Sequence, residues 1–152
     1  MSTATLEEIA ELRRLCTDYD LDGRQILDGY LNSELTHIYN GIGPDRFPDW
    51  LREIVTASAD LFEPAALIHD VEYHEGGTRE QFTAANDRFK QNCYTLVKDR
   101  YGWYDPRRYL WLNKARRWGN YCQFFGWDGW TKERSQDCEI ARSQDTKGMG
   151  NE

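Results

Sequence analysis

The sequence predicts an all-α protein with one main domain. Apolar residues recur every three or four positions along most of the chain, which is the period of an amphipathic helix. No segment shows the alternation of apolar and polar residues that is typical of a half-buried strand. With 152 residues, the chain can bury roughly two-thirds of its unfolded surface, so its core does not require disulfides.

The first half of the chain predicts four helices. The first lies in TLEEIAELRRLC; its candidate cap is Ser2 or Thr3, and its apolar face is Leu6, Ile9, Leu12 and Cys16 or Leu15. A short second helix lies in GRQILDGYLNSE. The loop THIYNGIGPDRFP then separates it from a third helix over about 48–59. The fourth helix begins at Glu63 or Pro64 and ends at Gly76 and Gly77.

The second half predicts two longer helices and a tail. Thr78 and Gln81 have the spacing of a capping box, which begins a helix that runs to about Arg100. After the turn YGWYDPRR, another helix covers Pro106–Phe125, and the chain beyond about Cys138 is expected to be poorly ordered. The predicted organisation is an N-terminal helical extension (1–36), a helical domain (37–125) and a Gly-rich, polar C-terminal tail (126–152).

The charge of the chain is unevenly distributed. Its net charge of −7 argues against nucleic-acid binding. Residues 103–134, however, contain seven basic and three acidic residues and five of the six tryptophans. In one interpretation this segment packs on the core, because Leu110, Trp111, Lys114 and Trp118 recur near helical spacing. In the other it docks at an anionic lipid interface.

Cysteine spacing and the N-terminus bear on the expected location. The four cysteines form no CxxC pair and no zinc-ligand pattern. The N-terminal sequence lacks a basic start followed by an apolar core, so no signal peptide is predicted. No apolar run approaches the roughly 20 residues of a membrane span. We therefore expect a protein that is made in the cytoplasm and has no transmembrane segment.

The stretch AALIHDVEYHEGG places reactive side chains on an apolar helix. His69 and Tyr73 are four residues apart and share one face, while Asp70 is rotated from His69 by about 100°. The next helix runs back antiparallel, and on it Asp87 is expected to face His69. A histidine oriented by a carboxylate is a general acid–base arrangement, although helix pairs also share polar networks that have no catalytic role.

Other catalytic patterns are absent from the sequence. His69 and His74 are five residues apart, or about 140° round a helix, so they cannot both face one metal ion. The chain has no HExxH, GxSxG, P-loop or dinucleotide-binding motif.

The upstream sequence DYDLDG, Asp18–Gly23, begins like the calcium loop of an EF-hand. The pattern then fails, because Gln25 occupies the usually apolar eighth position and Gly29 the twelfth, where a glutamate is expected. The two interpretations are an acidic turn between helices and a weak or structural calcium site.

Taken in order, YNGIG, HDVEY and NDRFKQNC resemble the phospholipase A2 superfamily over about residues 37–95. The resemblance implies a glycine-bearing calcium loop, a His-Asp-x-x-Tyr helix and an antiparallel helix that completes the site. It implies that His69 activates a water for attack on a phospholipid sn-2 ester. Asp87 and Tyr73 would orient His69, and Asp70 would bind Ca²⁺.

The same resemblance implies the remaining calcium ligands, which are the backbone carbonyls of Tyr39, Gly41 and Gly43. Ca²⁺ takes six to eight oxygens, so water or substrate would complete its shell. The ion would act as a Lewis acid, and the N–H of Gly41 is the candidate donor to the developing oxyanion.

The chain also departs from the secreted members of this superfamily. Ala65 and Ala66 stand where those enzymes have cysteines, Glu72 replaces another half-cystine, and Cys93 has no evident partner. The loop lies 26 residues before His69, which is longer than usual, and only 18 residues separate His69 from Asp87, so a β-wing is missing. The pattern is closer to the cysteine-poor type of bacteria and parvoviral capsids.

The expected function is calcium-dependent hydrolysis of phospholipid esters, with the membrane surface as substrate. The alternative is a non-catalytic binding or structural module, phage- or secretion-associated, that keeps the helix pair. Because resting cytosol contains little calcium, the enzymatic reading implies that the protein is delivered to a calcium-rich setting or associated with a virion.

Overall fold

The computed structural model describes residues 4–39, 48–57 and 59–130, which contain helices and no strand. The prediction of an all-α fold is confirmed for these residues. No helix in them combines the length and apolar composition that a membrane crossing needs. The helices are α1 (Leu6–Asp18), α2 (Asn32–Ile38), α3 (Asp49–Ala57), α4 (Ala59–Glu75), α5 (Arg79–Arg100) and α6 (Pro106–Phe125), and a 3₁₀ turn covers Arg24–Gly29.

Helix α1 begins with a capping box. The hydroxyl of Thr5 accepts from the backbone N–H of Glu8 at 3.1 Å, and the Glu8 carboxylate accepts from the N–H of Thr5 at 2.7 Å. The predicted caps Ser2 and Thr3 lie outside the described residues. Ile9, Leu12 and Cys16 are buried in the same apolar cluster as residues of α4. The segment predicted as an extension thus contributes to the main core.

The middle of the chain is more helical than its sequence predicted. Helix α2 continues to Ile38, inside the predicted loop, and α4 begins at Ala59, before the predicted start. Pro64 is the sixth residue of α4, past its first turn, so α4 lacks the backbone hydrogen bond that would join position 64 to the carbonyl of Asp60. The carbonyl of Pro64 accepts from the buried Cys16 thiol at 3.2 Å, which ties α4 to α1.

A glycine turn connects α4 to α5. Gly76 and Gly77 adopt φ angles of 63° and 142°, which favour glycine and end α4 as predicted. Thr78 then caps α5 in the predicted capping box with Gln81. The two helices are antiparallel, because successive contacts between them move in opposite directions along the sequence. Tyr73 meets Phe82 near the turn, and His69 meets Phe89 further from it.

Helix α6 has the predicted bounds and packs closely on α5. A Cβ atom at Gly119 would lie only 3.0 Å from the Cβ of Lys90, so the glycine allows this approach. On the same helix, Trp111 and Trp118 are partly buried, and the centroids of both rings lie 5.9 Å from that of Phe62. The packing interpretation therefore holds for these two tryptophans.

Arginines pair with the carboxylates of the Asp18–Gly23 turn. Asp18 pairs with Arg14, Asp20 with Arg24 at 2.6 Å and Asp22 with Arg88 at 3.2 Å. These contacts favour a structural turn over a calcium loop, since each carboxylate already faces a cation.

The turn is anchored to α5 by side chains that reach its backbone. Asn92, which is buried, exchanges two hydrogen bonds of 2.9 Å with the backbone of Asp22. Arg88 also pairs with Glu72 of α4, and Gly23, with φ of 80°, lets the Arg88 side chain pass closely over the turn. The acidic turn is thereby fixed to both α4 and α5.

The packed structure extends past the predicted start of the tail at residue 126. Residues 127–130 form a helical turn, and Trp130 is buried against Tyr73 and Phe82. The indole N–H of Trp130 donates to the carbonyl of Gly77 at 3.1 Å. This turn therefore closes one end of the α4–α5 hairpin; residues 131–152, with Cys138, lie outside the described residues.

Candidate functional site

His69 lies inside the protein between two aromatic rings. Its side chain is 3 % exposed, and its ring centroid lies 4.4 Å from that of Tyr73 and 4.6 Å from that of Phe89. The imidazole reaches this position because α4 is buried on several sides. It packs on α1, α2, the 3₁₀ turn and α5.

Asn86 is the polar partner of His69. Nε2 of His69 lies 2.9 Å from Oδ1 of Asn86, and the hydroxyl of Tyr73 donates to the same oxygen at 2.8 Å. All three side chains are buried. The predicted pairing of His69 and Tyr73 on one face is therefore present, with an amide as the third member of the cluster.

The prediction that Asp87 faces His69 is wrong. The Asp87 side chain is 66 % exposed and has a long ion pair of 3.8 Å with Lys90. One step along a helix rotates the side chain by about 100°, so only one of two neighbouring residues can point into the core. The apolar residues Phe82, Phe89 and Cys93 of α5 mark a buried stripe that includes position 86 and excludes position 87. The spacing of these residues was the signal in the sequence that identifies Asn86.

A second amide, on α6, contacts Asn86. Nδ2 of Asn86 donates to Oε1 of Gln123 at 3.0 Å, and Nε2 of Gln123 donates to the hydroxyl of Thr83 at 3.1 Å. Neither Gln123 nor Thr83 was identified from the sequence. Gln123 lies 54 positions after His69 and becomes its neighbour only through the packing of α6 on α5.

Burial determines the ionisation of the cluster. It lowers the pKa of His69 to about 4, against the opposing effect of the hydrogen bond to Asn86. Burial likewise raises the pKa of Tyr73 well above its ordinary value, and nearby Cys122 and Asp70 add to this effect. His69 is thus neutral and Tyr73 protonated at neutral pH.

Asp70 lies at the edge of this cluster and is half-buried. Its negative charge contributes to the raised pKa values of Tyr39, Tyr73 and Cys122, so its carboxylate lies within electrostatic reach of all three side chains.

Tyr39 is the described member of the predicted calcium loop. It caps the C-terminal end of α2, and its phenol bonds to the carboxylate of Glu63. Burial is the main cause that raises the pKa of Tyr39, and burial also raises the pKa of Glu63. Gly41 and Gly43 lie outside the described residues.

A cleft of about 530 Å³ opens beside Tyr39, between α1 and α4. Apolar and acidic residues line it: Ala4, Glu7, Glu8, Glu11, Leu12, Leu15, Tyr39, Asp60 and Glu63. Across the described ranges, no three His, Cys, Asp or Glu side chains are grouped so that they could hold a metal ion. The predicted site instead combines one carboxylate with backbone carbonyls.

Comparison of the chain with protein-family models, curated proteins and solved structures gave no match.

Proposed function

We propose that this chain hydrolyses phospholipid sn-2 esters with His69 as the general base. The observation that carries the proposal is the state of the imidazole. Nε2 is bonded to Asn86, burial keeps the ring neutral, and no described residue bonds to Nδ1. A neutral imidazole with one nitrogen held by the protein has its other nitrogen available to accept a proton.

The reaction follows from this arrangement. Nδ1 of His69 accepts a proton from a water molecule as the water oxygen bonds to the ester carbonyl carbon. The resulting tetrahedral intermediate expels the lysophospholipid alkoxide, which takes the proton back from the imidazolium. Asn86 and Tyr73 hold the ring in place throughout these steps, and no covalent bond between enzyme and substrate is required.

Ca²⁺ is the cofactor that the phospholipase resemblance implies. Among the described residues, Asp70 and the carbonyl of Tyr39 would hold it, and Gly41 and Gly43 are the other expected ligands. The donors are hard oxygens, the type that Ca²⁺ prefers, and the last carbonyls of a helix such as α2 have no partner within that helix. When bound, the ion would stabilise negative charge on the ester oxygen.

The outer side of α6 supports a membrane surface as partner. Leu110, Arg117 and Phe124 recur every seven residues, so they lie along one side of the helix. Leu110 and Phe124 are both exposed, and Phe124 is 78 % exposed. Helix α6 carries five basic residues and no acidic ones. Exposed apolar side chains among basic ones suit the interface of an anionic bilayer.

The test is hydrolysis of phospholipid vesicles with and without Ca²⁺. We expect fatty-acid release from the sn-2 position in Ca²⁺ and none in a chelator.

His69→Gln should reduce the rate by roughly 10²-fold or more, since general base catalysis contributes that much. Asp70→Asn should weaken calcium binding in a calorimetric titration and lower the rate in parallel. Asp87→Asn, an exposed change on the neighbouring helix, is the matched control and should keep full activity.

A non-catalytic module is the second candidate, and two observations favour it. The partner of His69 is a neutral amide, and the ring is almost completely buried, with a pKa near 4. Buried polar networks of this kind also occur in helix pairs without function. If folded protein releases no fatty acid in Ca²⁺ from zwitterionic or anionic vesicles, the non-catalytic reading replaces the enzymatic one.

A further inference from the structure

The hydrogen bonds of Asn86 have a direction, and this direction determines the tautomer of His69. An amide oxygen only accepts hydrogen bonds and an amide nitrogen only donates them. Oδ1 of Asn86 faces His69 and Tyr73, and Nδ2 faces Oε1 of Gln123. Because Oδ1 can only accept, Nε2 of His69 must carry the ring hydrogen, which leaves the lone pair on Nδ1.

We propose that Gln123 is a positioning residue that selects this tautomer through Asn86. Its carbonyl oxygen accepts from Nδ2 of Asn86 at 3.0 Å, which turns Oδ1 toward the imidazole. If the Gln123 amide were reversed, its nitrogen would face Asn86. The Asn86 amide would then reverse as well. Its nitrogen would donate a hydrogen bond to Nε2 of His69, which would have to be unprotonated. The basic nitrogen would move from Nδ1 to Nε2, inside the cluster.

Thr83 is the last member of this chain of hydrogen bonds. Its hydroxyl accepts from Nε2 of Gln123 at 3.1 Å. A hydroxyl can also donate, so Thr83 completes the chain without selecting its direction. Thr83 lies on α5, one turn before Asn86, and Gln123 lies on α6. The packing of α6 on α5 thereby controls a ring that belongs to α4. The inference about the tautomer stands by itself; only its effect on turnover rests on the proposed function.

The test compares a side chain at position 123 that can only accept hydrogen bonds with one that can only donate them. In Gln123→Glu the carboxylate only accepts, so Asn86 should keep its orientation and His69 its hydrogen on Nε2. In Gln123→Lys the ammonium only donates, so Oδ1 of Asn86 should turn to it, and His69 should carry its hydrogen on Nδ1. The ¹⁵N chemical shifts of the two ring nitrogens distinguish a protonated nitrogen from a bare one in each protein.

A neutral variant makes the test independent of a buried charge. Gln123→Met removes both the donor and the acceptor at position 123 with little change of shape. Asn86 is then no longer oriented by this side chain, so the Nε2-protonated fraction of His69 should fall. If Gln123→Lys does not fold, Gln123→Met still decides.

Two results would overturn the proposal. One is a wild-type spectrum with the hydrogen on Nδ1. The other is the wild-type tautomer in folded Gln123→Met and, where it folds, in Gln123→Lys. Turnover is a separate readout: if the protein is an ester hydrolase, Gln123→Lys should lower its rate by roughly 10²-fold or more, as expected for a displaced base. A tautomer that shifts in a protein without hydrolase activity supports the positioning role and removes the catalytic one.

Discussion

Nε2 of His69 and Oδ1 of Asn86 are 2.9 Å apart inside the protein, and no carboxylate takes part in this bond. An amide oxygen, like a carboxylate, can accept a hydrogen bond that holds an imidazole in place. Unlike a carboxylate, it has no negative charge to stabilise the protonated ring. The consequence is a histidine that is held in one place and yet has its pKa lowered to about 4 by burial. Burial therefore sets the low pKa of His69, and the bond to Asn86 opposes it only in part.

We predict that Asn86→Asp raises the pKa of His69. A carboxylate at this distance stabilises the imidazolium, and such a neighbour shifts a pKa by roughly one to three units. NMR titration of the ring should show the increase. If the protein is a hydrolase, the acid limb of its pH–rate profile should move to higher pH as well.

Asp87→Asn is the control for this change, because it alters the charge of the neighbouring residue by one in the opposite sense. Asp87 is exposed, so the pKa of His69 should stay at its wild-type value in this variant. If Asp87→Asn lowers the pKa of His69 by as much as Asn86→Asp raises it, the effect comes from net charge and not from contact with the ring.

The second prediction concerns stability in mild acid. Burial lowers the pKa of His69 from 6.5 in the unfolded chain to about 4 in the folded protein. Between these values the unfolded state binds the extra proton and the folded state does not. Stability therefore rises with pH across this window and falls as the solution is acidified. The full loss is about 3 kcal/mol, from the free energy that one pKa unit represents.

Chemical denaturation at a series of pH values between 4 and 7 measures this effect. His69→Gln removes the titrating ring, so the unfolding free energy of the wild type should fall relative to that of the variant as the pH falls. Parallel curves over the whole range would show that His69 does not experience the burial that the structure gives it.

The sequence predicts the helices better than it predicts the site. Local signals were sufficient for α5 and α6: the Thr78 capping box and the turn residues around Pro106 act within a few positions of the helix ends. Helix α4 began earlier than predicted because tertiary packing retains Pro64 inside a helix. The site depends on which residue of a neighbouring pair points inward. Motif spacing favoured the carboxylate of Asp87, whereas the buried stripe of α5 contains Asn86.

The third prediction is that the turn after α6 stabilises the whole hairpin. Trp130 is 2 % exposed and packs edge-on against the rings of Tyr73 and Phe82. Trp130→Ala should lower the free energy of unfolding by about 3–5 kcal/mol, the usual result for a large buried aromatic side chain. Thermal or denaturant unfolding measures the loss.

Two further substitutions show whether the loss of stability comes from the buried ring of Trp130. Trp130→Phe keeps a ring in the cluster but removes the bond to the carbonyl of Gly77, so its cost should be closer to 1 kcal/mol, a typical value for one hydrogen bond. Trp103→Ala removes a tryptophan that is 75 % exposed and should change stability little. If Trp130→Ala proves as mild as Trp103→Ala, the turn after α6 does not contribute to the core.

The last prediction tests whether the exposed residues of α6, with Trp103 just before it, form a membrane surface. Trp103 is exposed just before this helix, whereas Trp111 and Trp118 are partly buried against the core and Trp130 is buried. Anionic vesicles should therefore shift tryptophan emission to the blue mainly through Trp103, and Trp103→Phe should abolish most of the shift. Each basic contact near an anionic surface contributes on the order of 1 kcal/mol, so salt should weaken the response.

Arg116→Glu is the sharper substitution, because Arg116 is exposed and its bond to Asn113 is local, at 2.7 Å along the same helix. Reversing its charge should reduce vesicle binding and leave the unfolding transition unchanged. Arg117 is a poorer choice, since its guanidinium lies 4.5 Å from the ring of Trp50 and contributes to the packing of α3 on α6. Vesicles of zwitterionic lipid alone should bind more weakly than anionic ones. If neither kind of vesicle changes the emission at low salt, the exposed residues of α6 do not form a membrane surface.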